Sequence, residues 1–163
     1  MPIGLHPVPA PESGVGLDSP QSVVEAFLAA LAAKDAETAD ALIDDDIEYV
    51  NVSLPAVRGR SEFGRVLALL SRPGTGFEVY LHSIAAEGST VLTERTDVVV
   101  IGSVRIQFWV WGRFEVRDGA ITLWRDSFDF VDIARATVRG LIGVALPSLR
   151  PVSPSDTKAA PGR

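Results

Sequence analysis

The N-terminal part of the chain carries apolar residues at the spacing of amphipathic helices. A first helix is predicted to begin at Ser19-Pro20, because serine is a favoured N-cap and proline fits the first helical turn. A short second helix is expected after Asp35, and the acidic run at 44–46 is predicted to be the solvated turn that closes it. A third helix is expected with Ser61 as its N-cap. The apolar faces of the first and third helices are formed by Val23, Val24, Phe27, Leu28 and Leu31, and by Phe63, Val66, Leu67 and Leu70.

Most of the remaining chain has the pattern of β-strands. One short strand is predicted at 47–52, between the second and third helices, and a last helix at 131–146. Four longer segments are rich in β-branched and aromatic residues and are separated by turns that contain glycine. They are predicted to be strands at 77–87, 90–101, 104–116 and 120–130.

This order of elements predicts an α+β fold. Consecutive strands joined by tight turns pair antiparallel, and the helices gather on one face of the sheet. We therefore expect a strongly curved, mixed but mostly antiparallel β-sheet that forms a cone around a deep pocket, packed by N-terminal helices and a C-terminal helix. The 163 residues fit a single domain, predicted over 19–150, with a flexible leader at 1–18 and a flexible tail at 151–163.

Composition and charge narrow the range of functions. A net charge of −6 argues against nucleic acid as a partner, because phosphate binding needs a basic surface. The chain has no cysteine and two histidines, so neither a metal site nor a serine–histidine triad is expected. No segment has the roughly 20 continuous apolar residues of a membrane span. A cytoplasmic location is the default expectation.

The segment "LTERTDVVVIG" at 92–102 places three charged residues inside a predicted strand. Side chains alternate along a strand, so Arg95 and Asp97 share one face and Glu94 lies on the other. Taken alone, this strand fits a surface ion pair as well as it fits an active site.

The segment "WRDSFDF" favours an active site. Asp126 is flanked at i−2 and i+2 by Trp124 and Phe128, with Phe130 next on the same face. A carboxylate among aromatic side chains faces the core, where an unpaired charge is costly. We expect Asp126 to have a charged partner, a catalytic function, or both.

A third polar pair lies in the predicted strand at 47–52. Tyr49 and Asn51 alternate onto one face, where a phenol and an amide can hold a water molecule. Two hydrogen-bonded polar residues of a pocket wall are the other interpretation. If all three segments line one pocket, an arginine lies between two carboxylates, and one carboxylate can act as an acid while the other acts as a base.

Together, "EYVN", "TERTD" and "WRDSFD" resemble the limonene-1,2-epoxide hydrolase family, which shares the nuclear-transport-factor-2-like (NTF2-like), SnoaL-like cone fold. The resemblance covers about residues 19–150 and is closer to the actinobacterial members. It implies that Asp126 deprotonates a water held by Tyr49 and Asn51, that Asp97 protonates the epoxide oxygen, and that Arg95 bridges the aspartates. It also implies a one-step reaction without metal or cofactor, and a homodimer packed through the outer face of the sheet.

The same resemblance suggests an apolar pocket, and therefore a small apolar epoxide as substrate besides water. The candidate substrate-binding residues are Leu70, Val99, Phe108, Val110, Trp124 and Phe128. For each of them, packing in the core is the competing interpretation. Two other functions stay open on this fold: a SnoaL-like cyclase or isomerase, and a ligand-binding module without catalysis. The sequence leaves open which epoxide is the natural substrate.

Overall fold

The computed structural model describes residues 6–7, 17, 19–146 and 148. Within them a seven-stranded sheet has the order β1-β4-β5-β6-β7-β2-β3. β2 and β7 pair parallel, and the other neighbours pair antiparallel. The elements along the chain are β1 (His6–Pro7), α1 (Pro20–Ala33), α2 (Ala36–Ala41), β2 (Ile43–Asn51), β3 (Val57–Arg58), α3 (Arg60–Leu70), β4 (Thr75–Glu87), β5 (Thr90–Ile101), β6 (Val104–Arg117), β7 (Ala120–Ser127) and α4 (Phe130–Ala145). The predicted α+β, mostly antiparallel architecture is confirmed.

The beginning of α1 agrees with its prediction, whereas that of α3 does not. Ser19 caps α1 through a reciprocal capping box with Ser22. α3 begins two residues earlier than expected, and its N-cap is Gly59, whose φ of 82° suits glycine. The prediction that Ser61 is the cap is therefore wrong. The turn is held instead by Arg60, whose guanidinium donates to the backbone oxygens of Asp40 and Ile43.

The acidic run at 44–46 is not the turn that closes α2. That helix ends at Ala41, and the run lies inside β2, where the pairing with β7 shifts register between Ile43 and Glu48. Because Ile43 and Ile47 are both buried, the irregular stretch between them turns Asp45 and Asp46 outward to solvent. A run of three carboxylates predicts exposure to solvent, but it does not predict the irregularity of the strand that exposes them.

The long meander follows the predicted strands closely, and β5 has the predicted bounds. β7 is shorter than predicted: it ends at Ser127, and Asp129 caps α4. Phe130 is consequently the first residue of that helix and is exposed, so its predicted place on the strand face with Trp124 and Asp126 is wrong.

The main core lies between the helices α1–α3 and the inner face of the sheet, defined as the face that carries Phe114 and Trp124. α4 packs against β6 through the small residues Ala136, Gly140 and Gly143. A Cβ at Gly140 would lie 2.4 Å from the Arg105 carbonyl oxygen, so the close approach needs glycine. No helix in the described part of the chain is long and apolar enough to cross a membrane.

Two residues of the predicted leader form β1, in which His6 and Pro7 pair with Leu81 and Tyr80 of β4. Most of the leader, and all of the predicted tail at 151–163, lie outside the described residues.

Candidate active site

The centre of the candidate site is the guanidinium of Arg95, which is completely buried between two carboxylates. Its Nε donates to both oxygens of Asp97, at 2.9 and 3.1 Å, and its Nη2 donates to Oδ2 of Asp126 at 2.5 Å. Asp97 is 2% exposed and Asp126 is 4% exposed. The structure therefore brings together the three charged residues that the sequence pattern singled out.

The strands explain how residues that are 31 positions apart meet. Arg95 and Asp97 lie on the inner face of β5, and Asp126 lies on that of β7, so β6 separates them. The long arginine side chain crosses β6 to reach the second carboxylate. An arginine suits this task because its planar guanidinium presents donors in several directions at once.

Asp126 has a second donor that the sequence pattern did not reveal. The indole Nε1 of Trp124 donates to Oδ1 of Asp126 at 2.7 Å, while Arg95 holds the other oxygen. Each oxygen of the carboxylate thus accepts one N–H, and the two bonds fix its orientation. Trp124 is buried among the rings of Phe27 and Phe114, so in this structure it is a core residue whose polar atom contacts the carboxylate.

Tyr49 and Asn51 lie beside Asp126 because β2 runs parallel to β7. Asn51 is the register partner of Asp126, and the Tyr49 hydroxyl donates to the side-chain oxygen of Asn51 at 3.2 Å. Burial, reinforced by the negative charge of Asp126, raises the pKa of Tyr49 well above its usual range. The phenol therefore stays a neutral hydrogen-bond donor next to the carboxylate.

The pKa values of Asp97 and Arg95 differ from those of free side chains. Burial raises the pKa of the Asp97 carboxyl to about 6, against the lowering effect of Arg95 and with a further rise from Asp126. Burial also opposes the charge of Arg95, but the two carboxylates outweigh it and raise the pKa of the guanidinium. Arg95 is thus a permanent cation, and Asp97 is a carboxyl that can carry a proton near neutral pH.

The predicted substrate-binding residues fall into two groups. Val110 and Trp124 are buried, which fits the competing interpretation of core packing. Phe108 is the register partner of Asp97, and its ring lies 5.7 Å from that of Phe128. The residues that are only half-buried, and so remain candidates for an apolar wall, are Leu70, Val99, Phe108 and Phe128. Among the described residues, no group of three or more His, Asp or Glu side chains is arranged to hold a metal ion.

The fold and the site define a class: an NTF2-like protein with an aspartate–arginine–aspartate cluster buried on its inner sheet face. An NTF2-like protein from Burkholderia xenovorans LB400 shares the fold at 22% identity and a TM-score of 0.60, with 76% of this chain and 99% of that chain covered. Within this class, the family model for the limonene-1,2-epoxide hydrolase catalytic domain matches residues 18–139. The chain belongs to the limonene-1,2-epoxide hydrolase family.

A curated relative and a solved structure, both from an actinobacterium, agree with this assignment. The epoxide hydrolase EphG of Mycobacterium tuberculosis is 51% identical over 130 residues, which are 78% of this chain and 85% of that protein. A solved structure of a limonene-epoxide-hydrolase-like epoxide hydrolase from M. tuberculosis has a TM-score of 0.75 and 47% identity, and covers 78% of this chain and 96% of its own. The predicted closeness to actinobacterial members is confirmed.

Proposed function

We propose that the protein hydrolyses an apolar epoxide to a vicinal diol in one step, without a cofactor. Asp126 takes a proton from a water molecule held by Tyr49 and Asn51, and the water oxygen forms a bond to one epoxide carbon. The bond from that carbon to the epoxide oxygen breaks as Asp97 protonates the oxygen. The proton on Asp126 then returns to Asp97, which restores both carboxyl groups for the next turnover.

The observation that carries this proposal is the single guanidinium that bridges two buried carboxylates of different character. Asp126 accepts an N–H on each oxygen, from Arg95 and from Trp124, and lies beside Asn51, which suits a base that takes a proton from a held water. The raised pKa of Asp97, about 6, suits an acid that must hold a proton and release it near neutral pH. A pocket that only binds a ligand gains little from such a pair, because burying charges is costly.

The substrate class follows from the half-buried apolar residues near the pair. Phe108 and Phe128 meet edge to face, and Val99 continues the strand face that carries Asp97. These side chains favour a terpene, alkene or lipid epoxide over a charged one. The matching family is described as limonene-1,2-epoxide hydrolase, and the curated relative is named an epoxide hydrolase.

The test is a panel of cyclic and acyclic apolar epoxides, with a steroid enone included as a substrate for an isomerase. We expect diol formation from at least one epoxide and no turnover of the enone. Asp97→Asn and Asp126→Asn should each abolish turnover while the circular dichroism spectrum stays unchanged. Retained activity in either variant contradicts the acid–base assignment, and turnover of the enone alone favours the isomerase.

A single turnover in heavy-oxygen water separates direct attack by water from a covalent route. Direct attack places the label in the diol. Label on an aspartate of the protein would indicate an ester intermediate and would exclude the one-step reaction.

We also propose that the protein is a homodimer packed through the outer face of the sheet. Trp109 and Trp111 on that face are 53% and 59% exposed, and their rings stack with centroids 6.2 Å apart. Leu92 on the neighbouring strand is exposed beside them. Light scattering should give twice the monomer mass, and Trp111→Glu should reduce it to that of a monomer. A monomeric wild-type protein contradicts this assembly.

A further inference from the structure

Gly112 lies in the middle of β6, the strand that Arg95 has to cross. Glycine in a strand interior weakens the strand, and it often marks a place where another group approaches closely. Here the approaching groups are side chains: a Cβ at this position would lie 2.2 Å from Nη1 of Arg95 and 2.4 Å from Oγ1 of Thr93. Any other residue would therefore overlap the guanidinium.

Strand register explains why the space is needed at this position. Gly112 pairs with Thr93 on β5 and with Asp126 on β7. Arg95 lies two residues further along β5, where it pairs with Val110. On the inner face, Thr93, Gly112 and Asp126 thus form one row. The guanidinium extends over the missing side chain in the centre of this row to reach the carboxylate at its end.

Thr93 completes the set of acceptors around the guanidinium. It is buried, its Oγ1 accepts from Nη1 of Arg95 at 3.1 Å, and its own hydroxyl points to the Gly112 carbonyl oxygen at 3.5 Å. Each nitrogen of Arg95 therefore donates to a different side chain, with Nε on Asp97 and Nη2 on Asp126. A buried N–H that loses its acceptor costs about 1–3 kcal/mol, and more when the group is charged, so a guanidinium without Thr93 gains by turning away from this arrangement.

We infer that Thr93 and Gly112 are positioning residues, which form a slot that holds the guanidinium of Arg95 in contact with both aspartates. The inference rests on the proposed epoxide hydrolysis for its kinetic consequence. Neither residue is expected to touch the substrate, since both act through Arg95. A displacement of the reacting groups by about 1 Å lowers a rate roughly 100-fold, which sets the scale of the expected effect.

The experiment compares Thr93→Val, which keeps the volume and removes the acceptor, with Thr93→Ser, which keeps the hydroxyl. We expect kcat to fall roughly 100-fold in Thr93→Val with little change in KM, and to recover largely in Thr93→Ser. Thr96→Val is the matched control, because Thr96 lies on the outer face of the same strand and its hydroxyl contacts His82. It should keep the wild-type kcat. Gly112→Ala should lose at least as much activity as Thr93→Val.

A second readout does not depend on activity. In nitrogen-15 NMR spectra, slow rotation of the Nη1 group of Arg95 should give separate proton signals in the wild-type protein and in Thr93→Ser. These signals should be lost in Thr93→Val. Wild-type kcat together with wild-type Arg95 signals in Thr93→Val would overturn the inference. If the wild-type protein hydrolyses no epoxide, the proposed function fails, and the NMR comparison still decides whether the slot holds the guanidinium.

Discussion

Asp97→Asn is expected to abolish turnover and, at the same time, to stabilise the protein above neutral pH. Burial raises the pKa of Asp97 from the usual 3.8 to about 6. A carboxyl with a raised folded-state pKa binds its proton more tightly in the folded than in the unfolded chain. Its ionisation therefore removes stability as the pH rises from about 4 to about 6.

The difference between 3.8 and about 6 corresponds to about 3 kcal/mol. Asparagine resembles the protonated carboxyl in shape and keeps an oxygen that accepts from Nε of Arg95. The free energy of unfolding of the variant should consequently equal that of the wild-type protein below about pH 4. At pH 8 it should be about 3 kcal/mol higher than that of the wild type.

Urea unfolding followed by tryptophan fluorescence at pH 4, 6 and 8 measures this difference, with Asp46→Asn as the control for the change in net charge. Asp46 is exposed on β2, so its substitution should leave the pH dependence unchanged. An Asp97→Asn protein that is less stable than the wild type at pH 8 would refute the argument. It would mean that the fold favours the ionised Asp97, and such a residue is a poor acid.

Three further substitutions test other parts of the site. Arg95→Met leaves two carboxylates buried without their partner, so the free energy of unfolding at pH 8 should fall by roughly 3–5 kcal/mol. The loss should be smaller at pH 5, where the carboxyls take up protons. A loss that does not depend on pH would contradict this origin. Trp124→Phe removes the indole N–H that donates to Asp126. A hydrogen bond to a charged acceptor contributes about 1.5–3 kcal/mol, so kcat should fall roughly 10- to 100-fold in steady-state assays. An unchanged kcat would exclude a role of this bond in catalysis. Phe108→Ala should raise KM for an apolar epoxide roughly 10-fold with a smaller effect on kcat, and an unchanged KM would remove Phe108 from the pocket wall.

Side-chain alternation was sufficient to predict most of the candidate site. It placed Arg95 with Asp97 on one face of a strand and Tyr49 with Asn51 on one face of another, and the structure has both arrangements. Alternation is reliable here because it depends on backbone geometry within a single strand. The fold class followed from similarly local evidence, namely tight turns between long strands.

Contacts between strands were beyond this local evidence. The roles of Thr93 and Gly112 depend on their alignment with Asp126 across three strands, which no periodicity within one strand reveals. Likewise, a tryptophan in a sequence indicates bulk and apolar surface, whereas the hydrogen bond of Trp124 to Asp126 depends on the orientation of the indole in the folded core. The acidic run at 44–46 was misplaced for the same reason, since the register shift that accommodates it arises from pairing with β7.

The charge of the buried cluster explains why it suits the proposed reaction. In the proposed active form the two carboxyl groups share one proton, so together with the positive Arg95 the three side chains are neutral, which is the least costly state for a buried group. In the proposed step, Asp126 gains a proton from water as Asp97 gives one to the epoxide oxygen. The cluster therefore stays neutral throughout, and the guanidinium contacts both the carboxylate that loses charge and the one that gains it. The negative charge moves from one carboxyl group to the other while the net charge of the cluster stays the same. The low-dielectric surroundings, which make the cluster costly to bury, therefore add little to the barrier of the reaction.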